Sequence, residues 1–443
     1  MTKSDNTPLL SSSKGVSLLL PFLAVTTCFA MWGFANDITA PLVKAFSKIF
    51  RMSVTEGALV QVAFYLGYFC MAFPAAMFIQ RYTYKAGVML GLFLYGIGAL
   101  LFVPAQWTGM YYPFLFAYFV MTCGLSFLET SCNPYIYSMG PEATATRRLN
   151  LAQAFNPVGA LAGMWVAMHF IQARMNPLDS ESRATLSDVE FEAIKNHDLW
   201  VLIQPYVYIG LVALAMLVLI RLLKMPRAND SGKSTGVFRT LISLLRKRNY
   251  REGVIAQFFY VGAQVMCWTF IIQYGTHLFM SEGMPEHEAE ILSQRYNIGA
   301  MALFTCSRFI CTWFLRFISP SRLLRVLGVL GVVLTIGAII STSVIGLYCL
   351  VGVSACMSLM FPTIYGIALT GLGEDVKVGS AGLIMSIIGG SVFPPLQGSI
   401  IDSGISIGAL PAVNLSFIIP AICFVVVALY GSHSGRADSR HPA

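Results

Sequence analysis

The sequence predicts an all-α membrane protein of twelve transmembrane helices in two six-helix halves, with both termini on the cytoplasmic side. Three observations carry that prediction. Of 443 residues, 56% are hydrophobic and only 11% charged, against roughly 45–50% and about 25% in soluble domains. A chain this apolar cannot bury its surface in water, so lipid must serve as its solvent. Apolar stretches of about the 20 residues that a spanning helix needs recur twelve times along the chain. The basic residues gather in loops on one side of those stretches, which the positive-inside bias places in the cytoplasm.

The elements follow in order. Residues 1–15 are polar and form a cytoplasmic tail. The apolar run after them is too long for the core of a cleavable leader and lacks a small-residue cleavage site, so it stays as the first span, 16–43. Spans 54–80, 86–104, 111–138, 148–173 and 199–223 complete an N-terminal half, 16–223. A linker, 224–251, carries Lys224, Arg227, Lys233, Arg239, Arg246, Lys247, Arg248 and Arg251 against the lone Asp230. The C-terminal half, 252–431, holds spans 252–279, 291–317, 321–342, 344–371, 378–401 and 408–431, and a short tail, 432–443, ends the chain.

Each loop agrees with one orientation. Arg81 and Lys85, Arg147 and Arg148, and Arg316 and Arg322 fall on the linker side. The opposite loop, from Arg174 to Asp198, is mostly acidic, with Asp179, Glu181, Asp188, Glu190, Glu192 and Asp198. These loops account for the net charge of +8 without a nucleic-acid partner. The ten cysteines lie in apolar stretches with no CxxC pair and no histidine cluster, so they read as small buried hydrophobes and neither disulfides nor metal ligands.

An internal repeat supports the two halves. Pro134-Tyr135-Ile136-Tyr137 closes span four and Pro362-Thr363-Ile364-Tyr365 occupies the matching place in span ten. An acidic loop follows each, with Glu142 in one half and Glu374-Asp375 in the other. Six spans of separation is what a parallel repeat requires.

An ionisable side chain at membrane depth is costly unless it lines a cavity or finds a partner. Two acids stand out: Asp37, beside Asn36 in the outer part of span one, and Glu129 in span four, one turn before Asn133. An acid removed from water can bind and release a proton near neutral pH, which is the chemistry of a proton-coupling site. The competing reading is a neutral acid bonded between helices for structure alone. Polar stripes also recur at helical spacing: Asn150, Gln153 and Asn156 in span five, ahead of Pro157, and Gln257, Tyr260, Gln264 and Trp268 in span seven. Amides serve sugar hydroxyls and aromatic faces serve the apolar side of a sugar ring; inter-helix hydrogen bonding is the alternative. Arg308 in span eight reads as an anchor to a neighbouring helix or loop, and the GxxxG pairs Gly87/Gly91 and Gly159/Gly163 as close helix packing.

Catalytic and energising motifs are missing from the sequence. The nearest phosphate-loop candidate, Gly232-Lys233-Ser234, has Arg227 where the first glycine belongs. No HExxH set occurs, and no cofactor or metal is expected.

At these same residues the sequence resembles the fucose permease branch of the major facilitator superfamily. The matching stretches are Ala63 to Phe69, Leu128-Glu129-Thr130 with Asn133-Pro134, Arg148 to Asn156, Tyr260 to Gln264 with Cys267-Trp268, Ser307-Arg308-Phe309, Pro362-Thr363-Ile364 and Ile387 to Gly390. The resemblance implies a monomeric transporter of a bacterial inner membrane, with a central cavity, alternating access and symport of a proton with a 6-deoxy or related hexose. It implies Glu129 as the proton-linked glutamate and Gln153 and Asn156 as sugar-facing amides, with Glu129 and Gln264 favouring L-fucose over glucose or galactose. A glucose/galactose or other hexose transporter of the same family, coupled to protons or sodium, and a receptor or channel that does not concentrate its sugar, are the alternatives. One departure stands in span one. The family pattern is Asn-Asn-x-Asn-Asp after a tryptophan, and counting from Trp32 places Ala40 at the aspartate and Asp37 at the second asparagine. Trp32, Phe46 and Gln61 align without gaps, so the second acid is displaced by one turn or lost.

Overall fold

A computed structural model describes residues 18–37, 45–46, 48–52, 59–176, 178, 183, 185–225, 237–408 and 410–438. Its regular elements among these residues are helices, apart from one isolated β-bridge between Ile407 and Leu410. Eleven helical stretches are long and apolar enough to cross a membrane. In lipid this follows from the backbone, whose polar groups must be satisfied within each segment.

The first part of the chain forms α1 (Leu19–Asp37), α2 (Leu59–Arg81), α3 (Tyr84–Leu100), its continuation α4 (Phe102–Thr108), and α5 (Tyr111–Ser138). The fifth span is built from α6 (Ala145–Gln153) and α7 (Phe155–Val166), and α8 (Asp188–Leu222) is the sixth. A short helix, α9 (Val237–Arg246), precedes α10 (Arg248–Ser281), α11 (Glu286–Phe314) and α12 (Pro320–Ile340). Span ten is α13 (Val344–Met357) with α14 (Met360–Leu369), span eleven α15 (Val376–Met385) with α16 (Gly389–Asp402), and span twelve α17 (Ala412–Ser416) with α18 (Ile418–Asp438).

Four expectations need correction. The eighth span, expected at 291–317, is helix α11, which starts at Glu286 and is long enough at 29 residues, but it is too polar to rank with the eleven apolar spans. Glu286, Glu288, Glu290 and Arg295 in its first three turns are the reason. The sixth span starts at Asp188 instead of 199, because Ser187 and Glu190 form a reciprocal capping box that starts the helix early. The linker 224–251 is not all loop, since it contains α9 and the first turn of α10. Cys70 and Cys306 are exposed on the apolar surface, whereas six other cysteines are buried.

The chain divides into two compact units, and the boundary runs through the fifth span. One unit comprises residues 10–139 and 155–234; the other combines 140–154 with 235–443. In the first, α1 and α7 touch backbone to backbone. A methyl group on Gly33 would lie 2.8 Å from the Asn156 carbonyl carbon, and one on Gly163 would lie 3.2 Å from that of Phe34, so only glycine permits the approach. α3 sits on α5 in the same way, with Gly91 facing the Leu128 backbone nitrogen, 2.9 Å from where a Cβ would be. Both GxxxG pairs therefore mark helix packing.

The loop before α8 is a folded cap within this unit. Arg183 and Asp198, both fully buried, pair at 2.6 Å. Asp198 also accepts from the Asn176 backbone N–H at 2.8 Å, and Arg183 donates to the carbonyls of Leu178 and Asn176. Arg51 stacks over Phe191 at 3.7 Å and donates to the Arg183 carbonyl. Asp198 is thus a buried structural anion and not a loop charge.

In the second unit α10 is the central helix, packed by α11, α13, α14, α16 and α18. Tyr250 at its start donates to the Gly379 carbonyl at 2.7 Å. Tyr274 near its end donates to the carbonyls of Ala338 and Ser341, a cluster that Asn414 completes. The internal repeat reappears as local structure: Pro134 and Pro362 lie in helices that lead into 3₁₀ turns at Glu142–Thr144 and Gly373–Asp375, and a helix broken near its middle follows each turn.

Candidate functional site

Glu129 sits on the most buried stretch of α5. Its side chain is fully buried, and neither carboxyl oxygen meets hydrogen-bond geometry. The neighbouring polar group is the Tyr68 hydroxyl of α2, which has Trp32 of α1 beside it in turn. A charge at that place has no cation to meet it among the described residues. Burying a charge without a partner is costly. Asn133 is also fully buried, but its amide donates to the Glu129 backbone carbonyl at 3.0 Å, one turn back in the helix, and not to the carboxyl group.

Asn156 in α7 is half-buried and donates to the Phe29 carbonyl of α1 at 3.3 Å. Asn36 is exposed at the end of α1, and Asp37 is the last residue of that helix. The side chain of Asp37 and the whole of Ala40 lie outside the described residues. The first unit therefore holds Asn36 on α1, Glu129 and Asn133 on α5 and Asn156 on α7, and Tyr68 of α2 neighbours Glu129.

The second unit holds Asn150, Gln153 and the span-seven stripe. Asn150 is fully buried and donates to the Thr363 hydroxyl of α14 at 3.3 Å and to the Thr146 carbonyl at 2.9 Å. Tyr260 donates to the Met357 carbonyl at 2.9 Å, and Trp268 donates to the Ser354 hydroxyl at 3.3 Å while its ring meets Phe304 edge-on. Gln264 and Trp268 are half-buried. Gln257 is fully buried, and neither its amide nitrogen nor its amide oxygen has a hydrogen-bond partner. Desolvating an amide without a partner costs about 1–3 kcal/mol.

Arg308 shows why the fifth span breaks where it does. Proline has no N–H, so it leaves the carbonyl four residues before it unbonded in a helix. Pro157 frees the Gln153 carbonyl in this way, and Pro362 frees that of Ser358. Arg308, only 3% exposed, donates Nη1 to Gln153 at 3.0 Å and Nε to Ser358, with its guanidinium 4.6 Å from the Phe304 ring centre. One cation thus satisfies two carbonyls, and α6 is held on α11 and α14. The helical run of span five is interrupted at Ala154 for the same reason. The break places Gln153 and Asn156, expected on one stripe, in different compact units.

Tyr68 carried no expected role, its only signal being its place in the family-matching stretch Ala63 to Phe69. The proline spacing was the signal for the double bond from Arg308, since Pro157 and Pro362 each follow a freed carbonyl by four residues.

Comparison with known proteins matches the chain to the Major Facilitator Superfamily over residues 23–394. It is 49% identical over 422 residues to an L-fucose-proton symporter of Haemophilus influenzae, covering 93% of this chain and 96% of that protein. It is 34% identical to the L-fucose-proton symporter of Escherichia coli, covering 94% and 93%. A crystal structure of the E. coli fucose:proton symporter superposes with a TM-score of 0.84 at 32% identity, covering 94% of this chain and 98% of that one.

Proposed function

Because the chain belongs to the major facilitator superfamily, we propose that it is a secondary transporter that imports L-fucose together with a proton. The observation that carries this reading is Glu129, a fully buried carboxyl group without a hydrogen-bonded partner, in a chain 49% identical to an L-fucose-proton symporter. Relatives of that name supply the substrate, and the buried acid supplies a group able to couple proton binding to the transport cycle.

On this reading the two six-helix halves, 16–223 and 252–431, are the moving parts of an alternating-access carrier. Glu129 takes up a proton when its cavity opens to the acidic side and releases it when the opposite side admits water. Asn36, Asn133, Gln153, Asn156, Gln257 and Gln264 contribute amide groups for sugar hydroxyls, and Tyr260 and Trp268 contribute ring faces for the apolar side of a 6-deoxy sugar. Tyr68 stands beside the Glu129 carboxyl group. Asp37 serves as the second acid in place of the aspartate that the family pattern puts at Ala40. The proton is the sole co-substrate and no cofactor takes part. The carrier works as a monomer in the inner membrane of a bacterium, with both termini and the basic linker in the cytoplasm.

Uptake of labelled L-fucose into proteoliposomes tests the reading. An inward proton gradient should drive accumulation above the external concentration, and a protonophore should collapse it. Equilibration without accumulation would make the protein a passive sugar pathway and refute symport.

A further inference from the structure

From the start of the second compact unit we infer that the protein carries a built-in site for one anionic phospholipid, between α9 and the first turns of α10. Two different surfaces meet there. The first is an apolar groove of about 370 Å³ walled by Leu241 and Leu245 of α9, Val254, Ile255 and Phe258 of α10, and Met385 of α15. α9 packs against both α10 and α15, with Leu244 fully buried beneath it and Leu245 and Ile255 open to the surroundings at 37% and 45%.

The second surface is a cluster of cations along one edge of that groove. Arg246 and Lys247 directly follow the groove residue Leu245, and Arg251 precedes Ile255 and Phe258 by four and seven residues on α10, so the three share one stripe of that helix. Arg246, Lys247 and Arg251 are exposed and pair with no acid among the described residues. Arg248, in contrast, is already engaged with Glu252 at 2.7 Å. Three free charges therefore stand within a turn of an apolar slot.

Neither surface alone specifies a partner. A neutral lipid would use the groove and leave the cations unmatched, and a free phosphate would do the reverse. An amphiphile that joins an acyl chain to an anionic headgroup satisfies both at once. A basic pocket at the end of membrane helices fits such a headgroup, with each Lys or Arg near the surface contributing roughly fivefold in affinity. Three cations then predict a preference for an anionic over a zwitterionic lipid on the order of a hundredfold.

The test uses the full-length protein purified in detergent and supplied with equal amounts of phosphatidylglycerol or phosphatidylcholine of identical acyl chains, with retained lipid counted by native mass spectrometry. The wild type should retain phosphatidylglycerol in strong preference, and rising ionic strength should erode that preference in the unaltered protein. The Arg246→Gln/Lys247→Gln/Arg251→Gln variant should keep the groove yet hold the two lipids equally. Ile255→Trp, which fills the groove and leaves the cations, should lose both lipids. Equal retention by the wild type, or a preference that survives the triple substitution or high salt, overturns the inference. So does displacement of phosphatidylglycerol by millimolar inorganic phosphate with no effect of Ile255→Trp, which would make the cluster a free-anion site.

Discussion

Replacing Arg308 with methionine preserves much of the side chain's length and apolar stem but removes both donors that serve the proline-freed carbonyls. The carbonyls of Gln153 and Ser358 would then be buried without partners, at a cost of about 1–3 kcal/mol each, and the buried contact with Phe304 would forfeit about 2 kcal/mol more. Relief of the desolvation of a buried cation offsets part of this. The net expectation is a loss on the order of 3 kcal/mol, read from reversible unfolding in mild detergent. The sharper measurement is a double-mutant cycle. Pro157→Ala restores an N–H that can bond Gln153 within the helix, so in the Arg308→Met background it should recover about 1–3 kcal/mol, while in the wild type it should gain little. The coupling must exceed the roughly 0.3–0.5 kcal/mol within which independent sites add. Additive effects, or an Arg308→Met variant as stable as the wild type, would refute the argument that Arg308 replaces bonds that the prolines delete.

Three further outcomes follow from the same geometry. Gln257→Leu removes a fully buried amide that bonds to nothing, so the variant should unfold about 1–3 kcal/mol later while its half-saturating L-fucose concentration rises; equal affinity in transport assays would count against a ligand role for this amide. Asp198→Asn leaves the fully buried Arg183 charge without its anion and should cost about 3–5 kcal/mol in a thermal or denaturant scan, a loss that an exposed loop acid could not produce. Asp37→Asn should abolish proton-driven uptake with folded protein retained, and adding Ala40→Asp should restore part of it by returning an acid three positions later in the sequence. Persistent proton-driven accumulation in Asp37→Asn would leave Glu129 alone as the titrating group.

The spans were legible because length and hydropathy are properties of a segment, and lipid allows such a segment little else than a helix. Helix α11 shows the limit of that signal: its first three turns are charged, so its role as the eighth span rests on length and position and not on composition. The early start of α8 was also written in the sequence, as Ser187 followed three residues later by Glu190, but charge counting over the loop obscured it. Which charge would meet which was not legible. Asp198 lies in the third turn of α8 and Arg183 stands fifteen positions earlier, ahead of that helix, and no periodicity links them. In the candidate site, Glu129 could be picked out because an acid in so apolar a helix needs a reason. Its neighbour Tyr68 could not, since one tyrosine among nineteen carries no signal until α2 is set against α5. Likewise the stripe Asn150, Gln153, Asn156 was read as continuous, whereas a proline acts on the carbonyl four residues before it and so divides the stripe at Ala154.

Replacement of the Glu129 carboxyl group by an amide tests the central claim most directly. Glu129→Gln keeps size and hydrogen-bonding capacity but cannot release a proton. In proteoliposomes with an imposed pH gradient the account predicts that accumulation of labelled L-fucose falls to the equilibrium level, while exchange of internal for external L-fucose continues without a gradient. Accumulation equal to that of the wild type would contradict it and reduce Glu129 to a structural acid.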